Sequence, residues 1–142
     1  MEDERWSKTL LAHFREPRNV GSWPEGARDV GTALVGSPRC GEVMRLQLHI
    51  DPHSGVIREA RFRTFGSGEA IASSSLTTEW VTGKTIEQAL AISNREIAMA
   101  LELPAEKLHC TVLAEEAIRA AIDDFRTKCE SAHPQRTLAD KE

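Results

Sequence analysis

The sequence predicts an α+β domain in which a three-stranded antiparallel sheet is covered on one face by helices. Two observations lead to this prediction. Apolar and polar residues alternate over residues 43–50 and again over 59–64, which is the period of two half-buried strands, and the turn Asp51–Gly55 joins them into a hairpin. Beyond Gly66 the apolar period lengthens to about four residues, which indicates a run of helices.

The remaining elements follow from their boundaries. An N-terminal helix ends before Pro17, and its apolar face is formed by Trp6, Leu10, Leu11 and Phe14. Residues 33–35 supply the third strand, and a glycine typical of helix ends stands at Gly83. Capping-box spacings start two short helices at Thr85 and Ser93. The last helix has one apolar stripe, made of Ile118, Ile122 and Phe125. The predicted element order is αβββαααα.

Length, charge and cysteine content exclude several classes of protein. The 142 residues suffice for one domain, expected over residues 1–130, and residues 131–142 lack an apolar period and are predicted to be a disordered tail. The 18 basic and 22 acidic residues give a net charge of −4 without any run of like charge, which argues against nucleic-acid or membrane partners. The acidic N-terminus shows no signal peptide, and three cysteines in such a chain predict a cytoplasmic protein with reduced thiols.

Two segments contain candidate metal ligands. Cys40 lies in a glycine-bounded loop, where a reactive role and that of an ordinary loop cysteine are both open, and Glu42 on its own is typical of a surface carboxylate. His109 and Cys110 are adjacent, after a proline and before the last helix. If that segment is extended, their side chains point apart, which argues against a nucleophile–base pair. If the backbone bends, both side chains could reach one metal, and imidazole and thiolate are ligands that zinc and iron favour. The alternative is a structural role for the His109–Cys110 pair.

The other cysteine and histidines are expected to have no ligand role. Cys129 extends the apolar stripe of the last helix and is expected to pack there as a small apolar side chain. The remaining histidines have no partner at ligand spacing and are predicted to face solvent: His13, His49, His53 and His133.

Six blocks occur in order along the chain: Glu16–Gly21, Val35–Glu42, Arg61–Gly66, Ala70–Leu76, Glu79–Lys84 and His109–Glu115. Together they resemble the IscU/NifU-type scaffolds for iron–sulfur cluster assembly, over about residues 11–128. The resemblance implies a fold related to SufE and a non-enzymatic role. A protein of this type receives sulfur from a cysteine desulfurase and transiently binds iron or a nascent 2Fe–2S cluster.

The resemblance also implies a ligand set. Scaffolds of this family hold the cluster with three cysteines, an aspartate and a histidine; Cys40, His109 and Cys110 match the first cysteine, the histidine and the third cysteine. Ser67 stands at the second cysteine, and Glu42 stands at the aspartate. Cys110 is the candidate sulfur acceptor, and no residue is assigned a catalytic role.

The serine changes the chemistry expected of the site. A serine hydroxyl stays protonated near neutral pH and is a hard, weak ligand for iron, so Ser67 is expected to cap the following helix instead. The surviving set of Cys40, Glu42, His109 and Cys110 still suits zinc or iron. Three interpretations remain open: a scaffold whose coordination is completed by Ser67, Glu69 or an added thiol, a paralogue that binds zinc or iron without building a cluster, and a relay of persulfide sulfur through Cys110.

The resemblance implies further partners. In this family an Hsp70-type chaperone with its J-domain co-chaperone recognises a Leu-Pro-Pro-x-Lys loop. Leu103, Pro104 and Lys107 match this loop, whereas Ala105 replaces its second proline. Because a second proline would preorganise the extended peptide, we expect weaker chaperone binding here.

Overall fold

The computed structural model describes residues 5–24, 26–37 and 41–132. The strands are β1 (Val30–Ser37), β2 (Glu42–Ile50) and β3 (Ile57–Phe65). The helices are α1 (Lys8–Arg15), α2 (Gly68–Val81), α3 (Ile86–Leu90), α4 (Asn94–Leu101) and α5 (His109–Ala132), with a 3-10 turn over Ala105–Lys107. The predicted element order is confirmed.

The sheet is antiparallel in the order β1-β2-β3, as predicted. Alternate β2 residues point toward the helices and are fully buried or nearly so: Met44, Leu46, Leu48 and Ile50. Helix α5 packs across β1 and β2, and α2 packs against β3. Gly31 lets α5 approach, because a Cβ there would lie 2.0 Å from the carbonyl oxygen of Ala121. The helices therefore cover one face of the sheet.

The connection between α1 and β1 covers part of the opposite, outer face. Trp23 donates its backbone N–H to Oε1 of Gln47 at 2.8 Å, and its carbonyl accepts from the same amide group at 3.2 Å. The guanidinium of Arg61 lies 4.2 Å from the centre of the Trp23 ring. The connection is thus fixed over the half of the outer face that holds Gln47 and Arg61.

His13 is buried, so its predicted exposure was wrong. Its Nδ1 lies 2.7 Å from the hydroxyl oxygen of Ser75 and its Nε2 lies 3.3 Å from Oε1 of Glu79, both on α2. Packing of α1 against α2 excludes solvent from the ring, and this contact joins residues about sixty positions apart. Of the other histidines predicted to face solvent, His49 is half-buried and His53 is exposed, and His133 lies outside the described residues.

The last helix is longer than predicted at both ends. His109 and Cys110 are its first residues, so their predicted position before the last helix was wrong. The 3-10 turn after Pro104 leads into the helix, and the N–H groups of Thr111 and Val112 bond to the carbonyl of Leu108. The helix continues through residues 131 and 132, which the sequence assigned to a tail; residues 133–142 lie outside the described residues. None of the described helices has the length and apolar character needed to cross a membrane.

Candidate metal centre

Three separate elements bring polar side chains together at one end of the sheet. Glu42 is the first residue of β2, Ser67 precedes α2, and His109 and Cys110 lie in the first turn of α5. Glu42, His109 and Cys110 each offer one ligand atom, and these three atoms lie within 4.8 Å of one another. Three of the four candidate ligands are thus close together, and the fourth, Cys40, lies outside the described residues.

Glu42 is the centre of this group. Oε1 lies 2.8 Å from Nε2 of His109, and Oε2 accepts a 2.6 Å hydrogen bond from the hydroxyl of Ser67. The thiol of Cys110 donates to the same carboxylate, with Sγ at 3.4 Å from Oε2. The residue is only 5% exposed, unlike an ordinary surface carboxylate. Three donors thus compensate for its removal from water.

Strand register explains why Glu42 and Ser67 meet. Val43 is opposite Phe65, so the residues that follow β3 leave the sheet beside the start of β2. Gly66 allows the close approach, because a Cβ at this position would lie 2.8 Å from Cγ of Glu42. The next residue, Ser67, is then placed against the carboxylate.

Ser67 caps helix α2, as predicted. Its hydroxyl oxygen accepts the backbone N–H of Ala70 at 3.2 Å while its proton is donated to Glu42. The hydroxyl also lies 3.9 Å from the sulfur of Cys110. A side chain engaged in both bonds has little freedom to turn toward a metal.

The site favours a carboxylate beside a neutral thiol. Burial alone would raise the pKa of Glu42, but hydrogen bonds from Ser67 and Cys110, together with the nearby His109, lower it below its ordinary value. Burial, the charge of Glu42 and the hydrogen bond to it raise the pKa of Cys110 to about 12. A metal would have to displace the thiol proton, so its affinity should increase with pH.

A pair of aromatic rings, Trp6 and Phe14, packs beside the site, and sequence reasoning missed this contact. Trp6 donates its indole N–H to Oε2 of Glu69 at 3.1 Å and packs edge-on against Phe14, with ring centres 5.1 Å apart. Gly68 is needed beneath this pair, since a Cβ there would lie 2.6 Å from the Trp6 ring. The apolar period placed Trp6 on the face of the N-terminal helix, which was wrong because α1 begins at Lys8. It also gave no signal for the contact of Trp6 with the buried Glu69.

Of two other predicted features, Cys129 lies far from these ligands, whereas the predicted chaperone loop directly precedes two of them in the chain. Cys129 follows Cys110 on α5 by about 28 Å at 1.5 Å per residue, and it packs against the core. The segment with Leu103 and Pro104 is half-buried and leads through the 3-10 turn, which ends at Lys107, into the helix that begins with His109. The loop expected to bind a chaperone is therefore close in the chain to the metal centre.

Comparison with known proteins identifies the family. A family model described as the NifU-like N-terminal domain matches residues 5–132. The chain belongs to this family. It is 53% identical over 125 residues to iron sulfur cluster assembly protein 1 of Trachipleistophora hominis, covering 88% of this chain and 89% of that protein. It is 51% identical over 126 residues to the iron–sulfur cluster assembly scaffold protein IscU of Escherichia coli K12, covering 89% and 98% respectively.

Solved structures agree on the fold. The N-terminal NifU-like protein of Brucella abortus superposes with a TM-score of 0.65 at 20% sequence identity, covering 86% of this chain and 94% of that one. The SUF-system scaffold protein from Fervidobacterium islandicum gives a TM-score of 0.60 at 17% identity, with 81% and 94% covered. The resemblance to IscU/NifU-type scaffolds and the predicted fold are both confirmed.

Proposed function

We propose that this protein is an iron–sulfur cluster assembly scaffold that receives sulfur from a cysteine desulfurase and binds iron or a nascent 2Fe–2S cluster. The proposal rests on the convergence of Glu42, His109 and Cys110, whose ligand atoms lie within 4.8 Å of one another. Relatives at 51–53% identity are named as assembly proteins of this kind. Carboxylate, imidazole and thiolate together suit ferrous iron or zinc.

Cys110 is the proposed sulfur acceptor. Its thiolate attacks the outer sulfur of the desulfurase persulfide, a new S–S bond forms on Cys110, and the desulfurase cysteine leaves as a thiolate. The thiol proton must leave first, and the raised pKa opposes its loss. A divalent cation held by Glu42 and His109 would stabilise the thiolate and so prepare Cys110 for this step.

Cys40, Glu42, His109 and Cys110 are the proposed iron ligands, and Ser67 is not one of them. The Ser67 hydroxyl is held by its bonds to Glu42 and Ala70, and its oxygen is a poor match for iron. A cluster would therefore be held with one soft ligand fewer than the family provides. We expect it to form in lower yield or to be lost faster than in a Ser67→Cys variant.

Anaerobic reconstitution tests the proposal. The purified protein is incubated with a cysteine desulfurase, cysteine, ferrous iron and a thiol reductant, and iron, acid-labile sulfide and visible absorption are measured after desalting. We expect iron and sulfide in the parent chain, more of both in Ser67→Cys, and no change in Cys129→Ser, which alters a distant thiol. Absence of sulfide from both the parent and Ser67→Cys would contradict the scaffold role.

The two hydrogen bonds that hold the Ser67 hydroxyl away from a metal favour a second candidate function. A paralogue that holds zinc or iron on Glu42, His109 and Cys110 without building a cluster could modulate the desulfurase or relay its sulfur. In the same experiment, a protein that only binds metal would contain metal but no sulfide. A protein that relays sulfur would carry a persulfide on Cys110 without iron. Mass spectrometry of the intact chain distinguishes the persulfide by its added sulfur.

An Hsp70-type chaperone and its J-domain co-chaperone are the proposed partners for cluster release. Support comes from the half-buried Leu103, Pro104 and Lys107, which match the family's recognition loop and lie immediately before the metal centre in the chain. Binding there would act on the start of α5, which positions His109 and Cys110.

A further inference from the structure

Glu69 is a second buried carboxylate beside the metal centre, and it has few partners. It is 7% exposed, close to the 5% of Glu42. Three donors compensate Glu42, whereas Glu69 accepts one hydrogen bond from the described residues, the 3.1 Å bond from the indole N–H of Trp6 to Oε2. No lysine or arginine in the described part of the chain forms an ion pair with either carboxylate. The surroundings of Glu69 therefore lack a positive charge, which a bound cation would supply.

The position of Glu69 in the first turn of α2 places it next to the three ligands. It follows Ser67, whose hydroxyl contacts both Glu42 and Cys110, by two residues. Besides burial and the charge of Glu42, the charge of Glu69 helps to raise the pKa of Cys110. Glu69 does not belong to the group within 4.8 Å that Glu42, His109 and Cys110 form, so its side chain must turn to reach the same cation.

The Trp6 indole holds Glu69 in its present orientation. The Trp6 ring packs against Phe14, with ring centres 5.1 Å apart. The next residue, Ser7, donates its hydroxyl to the carbonyl of Leu101 at 2.6 Å, which fixes the chain beside the ring. The indole donor is therefore anchored independently of Glu69, and the carboxylate must leave it in order to turn.

We infer that Glu69 is a further ligand for ferrous iron at the metal centre, and that Trp6 is a positioning residue that holds this carboxylate back in the metal-free protein. The inference rests on the proposed function, because it assumes that Glu42, His109 and Cys110 bind a cation. A carboxylate oxygen suits ferrous iron and supplies an anionic ligand close to Ser67, which supplies none. The bond from Trp6 exists only in the metal-free protein, so it competes with iron for Glu69.

A purely structural role for Glu69 leads to a different expectation. An acidic residue in the first turn of α2 interacts favourably with the helix N-terminus, and this interaction needs neither burial nor Trp6. Loss of the Trp6 N–H would then loosen the site and weaken iron binding or leave it unchanged. Loss of a competing bond strengthens iron binding instead. The sign of the change therefore distinguishes the two roles.

The test measures the dissociation constant of ferrous iron in the full-length parent and in the variants E69Q, W6F, W6F/E69Q and W23F. Fe²⁺ alone is titrated anaerobically in competition with a chromophoric chelator, without sulfide or desulfurase. W6F keeps an aromatic ring against Phe14 but removes the donor. W23F is the matched control, because Trp23 lies over Arg61 on the outer sheet face. Far-ultraviolet circular dichroism shows that each variant is folded.

We expect E69Q to bind iron about tenfold more weakly than the parent, because a ligand is lost. W6F should bind iron about tenfold more tightly, because it removes a hydrogen bond to a charged group from the metal-free state alone. W6F/E69Q should match E69Q, since Trp6 acts only through Glu69, and W23F should match the parent.

Three results would overturn the inference: an E69Q affinity equal to that of the parent, a W6F affinity no higher than that of the parent, or a gain that persists in W6F/E69Q. If W6F does not fold, E69Q alone decides whether the carboxylate is a ligand. The parent tests the proposed function separately. A parent that binds no iron contradicts the metal centre itself, whereas iron binding that is unchanged in E69Q contradicts only the role of Glu69.

Discussion

Replacing Ser67 by alanine should destabilise the protein more than the loss of a helix cap alone. The hydroxyl makes two bonds, a 3.2 Å cap to the N–H of Ala70 and a 2.6 Å bond to the buried carboxylate of Glu42. Loss of a serine cap costs about 1 kcal/mol, and loss of a hydrogen bond to a charged group costs about 1.5–3 kcal/mol. We therefore expect the free energy of unfolding to fall by about 2–4 kcal/mol.

Ser93→Ala provides the matched control. Ser93 caps α4 in the same way, by accepting the N–H of Glu96 at 3.2 Å, but its other hydrogen bond is an exposed one to the Glu96 side chain. Its replacement should cost about 1 kcal/mol. Urea denaturation at pH 7 followed by far-ultraviolet circular dichroism measures both variants, and metal must first be removed with a chelator.

The difference between the two variants measures the bond to Glu42. A Ser67→Ala cost no larger than that of Ser93→Ala would refute the stabilising role of the Ser67–Glu42 hydrogen bond. The pH dependence gives a second check. Because the pKa of Glu42 is lowered in the folded protein, its contribution is complete above its ordinary value of 4.5 and is lost as the pH falls below it. The extra cost of Ser67→Ala should shrink over the same range.

Three further predictions concern groups whose environment the structure defines. Burial lowers the pKa of His13 despite the charge of Glu79, so its contribution to stability is complete above pH 6.5 and is lost as the pH falls. Urea denaturation between pH 5 and 7.5 should show a smaller acid loss in His13→Gln than in the parent, and identical profiles would contradict this. In the metal-free protein at pH 8, Cys110 should react slowly with iodoacetamide, because its pKa is about 12. Glu42→Gln should raise that rate about tenfold or more, measured by peptide mass spectrometry with Cys129 as the internal control, and an unchanged rate would show that the carboxylate does not govern the thiol. Finally, a loop peptide with Ala105→Pro should bind an Hsp70-type chaperone more tightly than the parent peptide in a fluorescence titration, because proline reduces the entropy lost on binding; equal affinities would disprove this.

Short-range sequence patterns predicted the fold because its elements follow local rules. Alternation over residues 43–50 matches the buried side chains of β2, and the capping boxes at Thr85 and Ser93 are both formed. The start of α5 was missed for a local reason as well. The break at Pro104 continues as a 3-10 turn rather than an extended segment, so the helix begins with His109. This changes the site, because neighbouring side chains in a helical turn can both contact Glu42.

Contacts between distant segments could not be predicted from such patterns. His13 has no partner at ligand spacing, yet it lies against Ser75 and Glu79 of another helix. The same holds for Trp6 and Glu69, which are 63 residues apart. The resemblance identified Glu42 as a ligand position, but only the strand register shows that its carboxylate is the acceptor shared by Ser67 and Cys110.

Glu42 and Ser67, the two residues that differ from the ligand set implied by the resemblance, are in direct contact. Relative to an aspartate, Glu42 extends the carboxylate by one methylene, and this carboxylate accepts the Ser67 hydroxyl at 2.6 Å. A cysteine at that position would be a weaker donor and, as a thiolate, would be repelled by the carboxylate. The serine therefore stabilises the ionised form of Glu42, while the ionised Glu42 keeps the Cys110 thiol protonated. Without metal, the site is a closed set of hydrogen bonds around one charge, and a cation that binds there must compete with the Cys110 proton and the Ser67 hydroxyl for the same two oxygens.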